Sequence, residues 1–337
     1  MRDAGWSRLF QQNLKLVSGK VARAGRASVA RAVQAGAQAL RPPPGPGDWL
    51  PGVVMGAAGA RRYRVYRPSG LGMGLNIGER VPLVVMLHGC GQDAKSFALS
   101  TRMNRVADRE GFIVLYPEQD RLANLQGCWN WFDTDSGRAY GEAGLIMKAV
   151  DQVGLLYAVD RARVAVVGLS AGASMAALLG TRHPDRFRAV VMHSGLPPGS
   201  AHSSVSAVAA MRGRRPGAVA AGRSSAVVST TAAWPPLLVI HGANDIVVAP
   251  CNGHAAAMAW AKAAGAVAGP ARSLQRGQRY PMTVTDFHLA DRLVARWVGV
   301  SHLGHAWSGG AAGQAHSDAK GPDASRMAWA FIARQWC

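Results

Sequence analysis

The stretch from Arg163 to Met175, RVAVVGLSAGASM, constrains the fold more than any other part of the chain. Its β-branched run from Val164 to Val167 reads as a buried strand that stops at Gly168. Ser170 follows, and Gly172 opens an alanine-rich helical stretch. A serine in the pattern G-x-S-x-G between a strand and a helix sits on a sharp turn that leaves its Oγ exposed at the carboxyl edge of a sheet. The turn tolerates only small neighbours, and Gly168, Ala171 and Gly172 meet that demand.

A serine hydroxyl is a weak nucleophile until a histidine takes its proton and a carboxylate orients that histidine. Both partners appear downstream of Ser170, in the order acid then base. The run PLLVI, residues 236–240, reads as a buried strand, and HGANDIVV after it places Asp245 in the loop at the strand's carboxyl end. LVARWVGV, residues 293–300, reads as another strand and leads into SHLGHAWSGG, with His302 and His305. Flanking glycines favour His305 as the base, since a catalytic imidazole needs a tight loop with room to move; His302 is the alternative. Charge developing on an attacked carbonyl needs two backbone N–H donors. Ala171, next after the serine, supplies one. The turn HGCGQ after the strand VPLVVML supplies the other from Cys90.

The remaining pattern alternates strand and helix, which argues for an α/β fold with a mostly parallel sheet flanked by helices on both faces. Strands are expected to begin near Tyr63, Leu83, Phe112, Val164, Ala189, Leu237, Met282 and Leu293. Helices are expected at residues 94–110, 142–157, 171–182, 253–264 and 323–335. Residues 201–233, rich in Ala, Ser, Gly and Arg, read as a surface excursion, and 265–279 as a polar loop leading to an edge hairpin. No metal-ligand spacing and no phosphate-binding glycine loop follows a strand, so neither a metal nor a cofactor is expected.

Taken together, LHGCGQDAKSF, TRMNRVADREGFIVLYPEQ, CWNWFD, VAVVGLSAGASM, HSGLP, PPLLVIHGANDIVV and GHAWSGG resemble the polyhydroxybutyrate depolymerase family of esterases. Feruloyl and acetylxylan esterases are relatives of that family. The resemblance implies an α/β-hydrolase fold with Ser170 as nucleophile, Asp245 as orienting acid, His305 as base, and Cys90 and Ala171 at the oxyanion. It implies ester hydrolysis on poly(3-hydroxybutyrate), a related short-chain polyhydroxyalkanoate or its oligomers, with feruloyl or acetyl esters of carbohydrates as the alternative. A granule-surface binding protein is the reading from another class. The resemblance also implies a Cys90–Cys128 disulfide and places Trp129, Trp131 and Trp307 along the substrate groove; Asn130, adjacent in sequence, is the expected donor to an ester carbonyl.

Residues 1–41 carry eight Lys or Arg against Asp3 alone, with Trp6, Phe10, Leu14, Val17 and Val21 on one helical stripe. Such a basic amphipathic helix lies on an interface, so it is expected to dock on a polymer granule or membrane surface. Residues 42–60 are expected to form a Pro/Gly-rich linker and 61–337 the catalytic domain. There is no secretory h-region of about seven apolar residues and no apolar run of about 18 residues that could span a membrane. The expectation is therefore a cytoplasmic, granule-associated enzyme, with secretion as the alternative. The formal net charge of +19 invites a nucleic-acid reading. Yet no recognised binding module accompanies it, so no specific nucleic-acid partner is expected.

Overall fold

The computed structural model describes residues 43–71, 79–214 and 233–336. The N-terminal segment 1–41 and most of the 201–233 excursion lie outside the described residues. The strands are β1 (Asp48–Gly56), β2 (Gly59–Arg67), β3 (Val81–Leu87), β4 (Ile113–Pro117), β5 (Val159–Leu169), β6 (Ala189–His193), β7 (Leu237–Gly242), β8 (Val267–Ala268), β9 (Arg272–Leu274), β10 (Met282–Leu289) and β11 (Arg292–Val300). They form one sheet in the order β1-β2-β4-β3-β5-β6-β7-β11-β10-β8, with β9 also on β10. From β4 through β3, β5, β6 and β7 to β11 every pairing is parallel, whereas β1, β2, β8, β9 and β10 join antiparallel at the two edges. A second pair, β12 (Trp307–Ser308) and β13 (Ser317–Asp318), stands apart.

The central strands are apolar where both faces are covered, β5 from Val164 onward. Leu83, Val85, Val164, Val166, Leu237 and Val239 point to one face. That face packs α3 (Arg138–Leu156), α4 (Ala171–Arg182), α5 (Ser204–Met211) and α6 (Cys251–Ala264). Val84, Met86, Ala165, Val167, Leu238 and Ile240 point to the other. There they meet α1 (Ala94–Thr101), α2 (Met103–Glu110) and α7 (Ala324–Ala333). All eight expected strands are present, and the α/β-hydrolase architecture follows.

Two expectations need correction. The linker of 42–60 is largely strand: β1 pairs with β2 from Asp48↔Arg67 to Gly56↔Gly59. Pro51 and its glycines disguised it, yet an edge strand tolerates proline. Gly52 is there because a Cβ would come 2.1 Å from the Tyr63 ring. The helix expected over 94–110 is broken at Arg102, whose φ is 55°. The break leaves the Ser100 carbonyl to accept from Ala311 N–H at 2.9 Å. It likewise leaves the Thr101 carbonyl to accept from Ser325 Oγ at 2.6 Å. Tertiary partners thus claim carbonyls that a continuous helix would consume.

Candidate active site

Parallel pairing brings the loops that follow β3, β4, β5, β6, β7 and β11 to one edge of the sheet. Ser170 stands there between β5 and α4 with φ 55° and ψ −120°, a strained turn. Its N–H donates to the His193 carbonyl at 2.8 Å. The turn depends on bare backbone at two points. A Cβ on Gly168 would lie 2.2 Å from the Gly172 carbonyl, and one on Gly172 2.1 Å from the Leu87 carbonyl oxygen. The first turn of α4 therefore presses directly on the end of β3.

Asp245 follows β7, is 4% exposed, and is held by four donors. Oδ1 accepts from Val247 and Val248 N–H at 3.0 and 2.9 Å. Oδ2 accepts from His305 Nδ1 at 2.7 Å, with His241 Nε2 3.2 Å away. Burial alone would raise this carboxyl, but the hydrogen bonds from His241 and His305 overcome it and hold it well below the usual carboxylate range. The two loops meet because Asn244 N–H donates to Leu303 O at 3.0 Å and Gly242 has no side chain where Leu303 passes. His305 Nε2 is then left without a partner among the described residues, as is Ser170 Oγ. His302, the alternative base, is not on Asp245; its ring lies edge-on to Tyr280, with centroids 5.7 Å apart.

His193 stands between the two halves of the site. Its carbonyl takes the Ser170 N–H, while its Nε2 accepts from Ser308 N–H at 3.1 Å, three residues past His305. Nδ1 faces Ser194 Oγ at 3.2 Å. Burial pushes this imidazole down to about 3, and the nearby His241 and His305 push in the same direction, so it is a neutral spacer.

The turn after β3 is organised around Cys90. Gly89 N–H donates to Gln92 Oε1 at 3.0 Å and Gly91 N–H to Gln126 O at 2.9 Å. The N–H groups of Cys90 and Ala171 make no hydrogen bond among the described residues, leaving both free for an oxyanion. Cys90 is joined to Cys128 by a disulfide with Cα atoms 4.2 Å apart. Buried Glu142 anchors the loop bearing Cys128. It accepts from Asn130 N–H at 2.9 Å, Asn130 Nδ2 at 2.7 Å and Gln119 Nε2 at 2.7 Å, and pairs with buried Arg61 at 3.2 Å.

The same contacts correct the aromatic groove. Trp129 is fully buried, its Nε1 donating to His88 O at 3.1 Å. Asn130 is occupied by Glu142, and Trp131 is 7% exposed. Trp307 is fully buried, stacked on His193 at 5.0 Å, with Nε1 on Ser325 Oγ at 3.1 Å. These side chains support the site's walls rather than line its mouth. Aliphatic side chains are exposed: Leu122 (95%), Leu125 (88%), Val205 (79%) and Ile246 (96%), with Val208 and Val247 beside them in sequence. They sit on the segments that follow β4, β6 and β7, at the serine's edge. The sequence reading missed them, together with His193, His241 and Glu142. A histidine ending each of two buried strands was the signal available.

Residues 61–277 match the protein family described as Esterase PHB depolymerase. The chain is 34% identical over 187 residues to poly(3-hydroxyalkanoate) depolymerase C of Paucimonas lemoignei, covering 51% of this chain and 42% of that protein. It is 27% identical over 246 residues to the poly(3-hydroxybutyrate) depolymerase of Ralstonia pickettii, covering 68% of this chain and 49% of that one. The chain thus spans less than half the length of these two relatives. An acetyl xylan esterase from Aspergillus awamori superposes with a TM-score of 0.54 at 19% identity, over 76% of this chain and 94% of that structure, a likeness of fold.

Proposed function

Because this chain belongs to the Esterase PHB depolymerase family, we propose that it is a serine esterase cleaving poly(3-hydroxybutyrate), related short-chain polyhydroxyalkanoates or their oligomers. The observation that carries the reading is a strained Ser170 at the same sheet edge as the Asp245–His305 pair. Asp245 holds Nδ1–H of His305, so Nε2 takes the Ser170 proton as Oγ attacks the ester carbonyl. The oxyanion is received by the N–H groups of Cys90 and Ala171. The alcohol end leaves with the proton from His305, and water activated by the same imidazole releases the acid. The exposed aliphatic residues around the mouth favour an uncharged polyester over a hydroxyl-rich polysaccharide, which would leave them in water.

Residues 1–41 are proposed to dock the enzyme on granules; deleting them should lower granule partition and leave soluble-ester turnover intact. The Cys90–Cys128 disulfide supports the secreted alternative over a cytoplasmic location, since reducing compartments keep thiols free. The deciding experiment compares release of 3-hydroxybutyrate from amorphous polymer with hydrolysis of feruloyl and acetyl esters, with Ser170→Ala as blank. Preferential polymer hydrolysis supports the reading. Turnover of carbohydrate esters alone moves the enzyme to the feruloyl/acetylxylan branch.

A further inference from the structure

An opening lies on the α7 face, between that helix and the antiparallel edge built by β9, β10 and β11. It is a cleft of about 650 Å³, and none of Ser170, Asp245 or His305 lines it. Its floor is apolar: Leu238, Met282, Val284, Val298 and Phe331 are nearly fully buried, and Met327 is half-buried. Its rim is basic, with Arg272, Arg276, Arg279, Arg296, Arg326 and Arg334 against Asp323 as the one acid.

The arginines divide by what they already do. Arg272 and Arg296 clamp Asp286 from both sides, at 2.6 and 2.5 Å. Arg279 Nη1 donates to the carbonyl of Gly321 at 2.6 Å, tying the β9–β10 turn to the approach to α7. Asp323 is spent on the helix cap, accepting from Arg326 N–H at 3.0 Å. Arg276, Arg326 and Arg334 have no acidic partner among the described residues. Three exposed guanidinium groups therefore surround an apolar slot with no paired counter-charge among the described residues.

Unpaired guanidinium groups at the rim of an apolar slot complement an anionic head on an apolar tail. The volume falls within the roughly 300–1,000 Å³ of small-molecule sites, which suits a single acyl chain better than a flat lipid surface. A guanidinium fork matches a carboxylate with two parallel hydrogen bonds.

We propose that this cleft binds an amphipathic monocarboxylate, its acyl chain along Met282, Val284, Val298 and Phe331 and its carboxylate among Arg276, Arg326 and Arg334. The assignment does not depend on which ester the enzyme cleaves. It is tested on the full chain carrying 13C-methyl methionine, titrated with decanoate, with 1-decanol, with acetate and with phosphatidylglycerol vesicles. Decanoate is expected to move the Met282 and Met327 methyl resonances and to saturate at one equivalent. The triple variant R276Q/R326Q/R334Q, altered only at exposed or rim side chains, should keep its soluble-ester turnover and bind at least tenfold more weakly. Decanol and acetate should leave the two resonances in place. Equal affinity in the triple variant, an equal response to decanol, shifts confined to other methionines, or a response to vesicles alone would each overturn the proposal.

Discussion

The segments that follow β4, β6 and β7, at the sheet edge of Ser170, expose aliphatic side chains, Leu122, Leu125, Val205 and Ile246, whereas the cleft beside α7 keeps its aliphatic residues at the bottom and presents arginines at the rim. The two regions belong to one sheet and differ in which edge they occupy. At the carboxyl edge Asp245 and His241 are buried and His305 is mostly covered. The exposed aliphatic side chains on the segments at that edge leave contact area for an uncharged chain. At the antiparallel edge the charges point outward and the strand faces supply the apolar floor. A polymer repeat and a carboxylate amphiphile would thus be sorted by where the fold spends its charge.

The comparison breaks most completely if the serine is not the reactive group. Ser170→Ala should lower ester turnover by at least about three decades with an unchanged melting temperature, read by hydrolysis of a soluble ester and by thermal denaturation. Wild-type turnover in that variant would leave the aliphatic mouth without a reaction to serve. Asp245→Asn should cost on the order of 10³–10⁴ in kcat, because the amide no longer fixes the tautomer of His305. A loss of only a few-fold would mean that His241 or another group orients the base.

A smaller effect tests the mouth itself. Replacing Leu122, Leu125 and Ile246 together by serine should weaken adsorption to polymer by about tenfold or more, given up to 1.5–3 kcal/mol for each fully buried aliphatic side chain. Soluble-ester kinetics should not change. Equal adsorption of variant and parent would show that these side chains are incidental, and the contrast with the arginine cleft would lose its meaning.

The smallest effect concerns the neutral spacer. Unfolded histidine titrates near 6.5, whereas burial pushes His193 down to about 3. Between those values the unfolded chain binds the proton and the folded chain does not, so stability falls as pH drops, by at most ~1.4 kcal/mol per pH unit for this ring. His193→Gln removes that contribution. In urea denaturation the gap between parent and variant should therefore narrow from about pH 7 to about pH 4.5. A constant gap would mean that His193 is not the group kept uncharged between the two halves of the site.

Much of this was legible before any coordinates, and for local reasons. The turn at Ser170 needs a strand, three small residues and a helix start in immediate succession, so a short string reveals it. The turn HGCGQ, Asp245 and His305 each follow a strong apolar strand and are read the same way. What failed depended on partners elsewhere in the chain. β1 hides behind Pro51 and Gly52, residues that earn an edge position only because Tyr63 lies opposite. The helix break at Arg102 has no signal of its own, since the carbonyls it frees are used by Ala311 and Ser325, more than two hundred residues away in the chain.

By itself the sequence determined the alternation that makes a parallel sheet, the serine turn and the residues able to serve it, because each rests on neighbours in the chain. Only the tertiary structure put His305, and not His302, against Asp245, at 2.7 Å. It alone turned Trp129 and Trp307 into the core, set His193 between serine and base, and left Leu122 and Ile246 in the open. The reason is that residue type tells how a side chain would interact, while which partner it meets depends on strands brought together from distant parts of the chain.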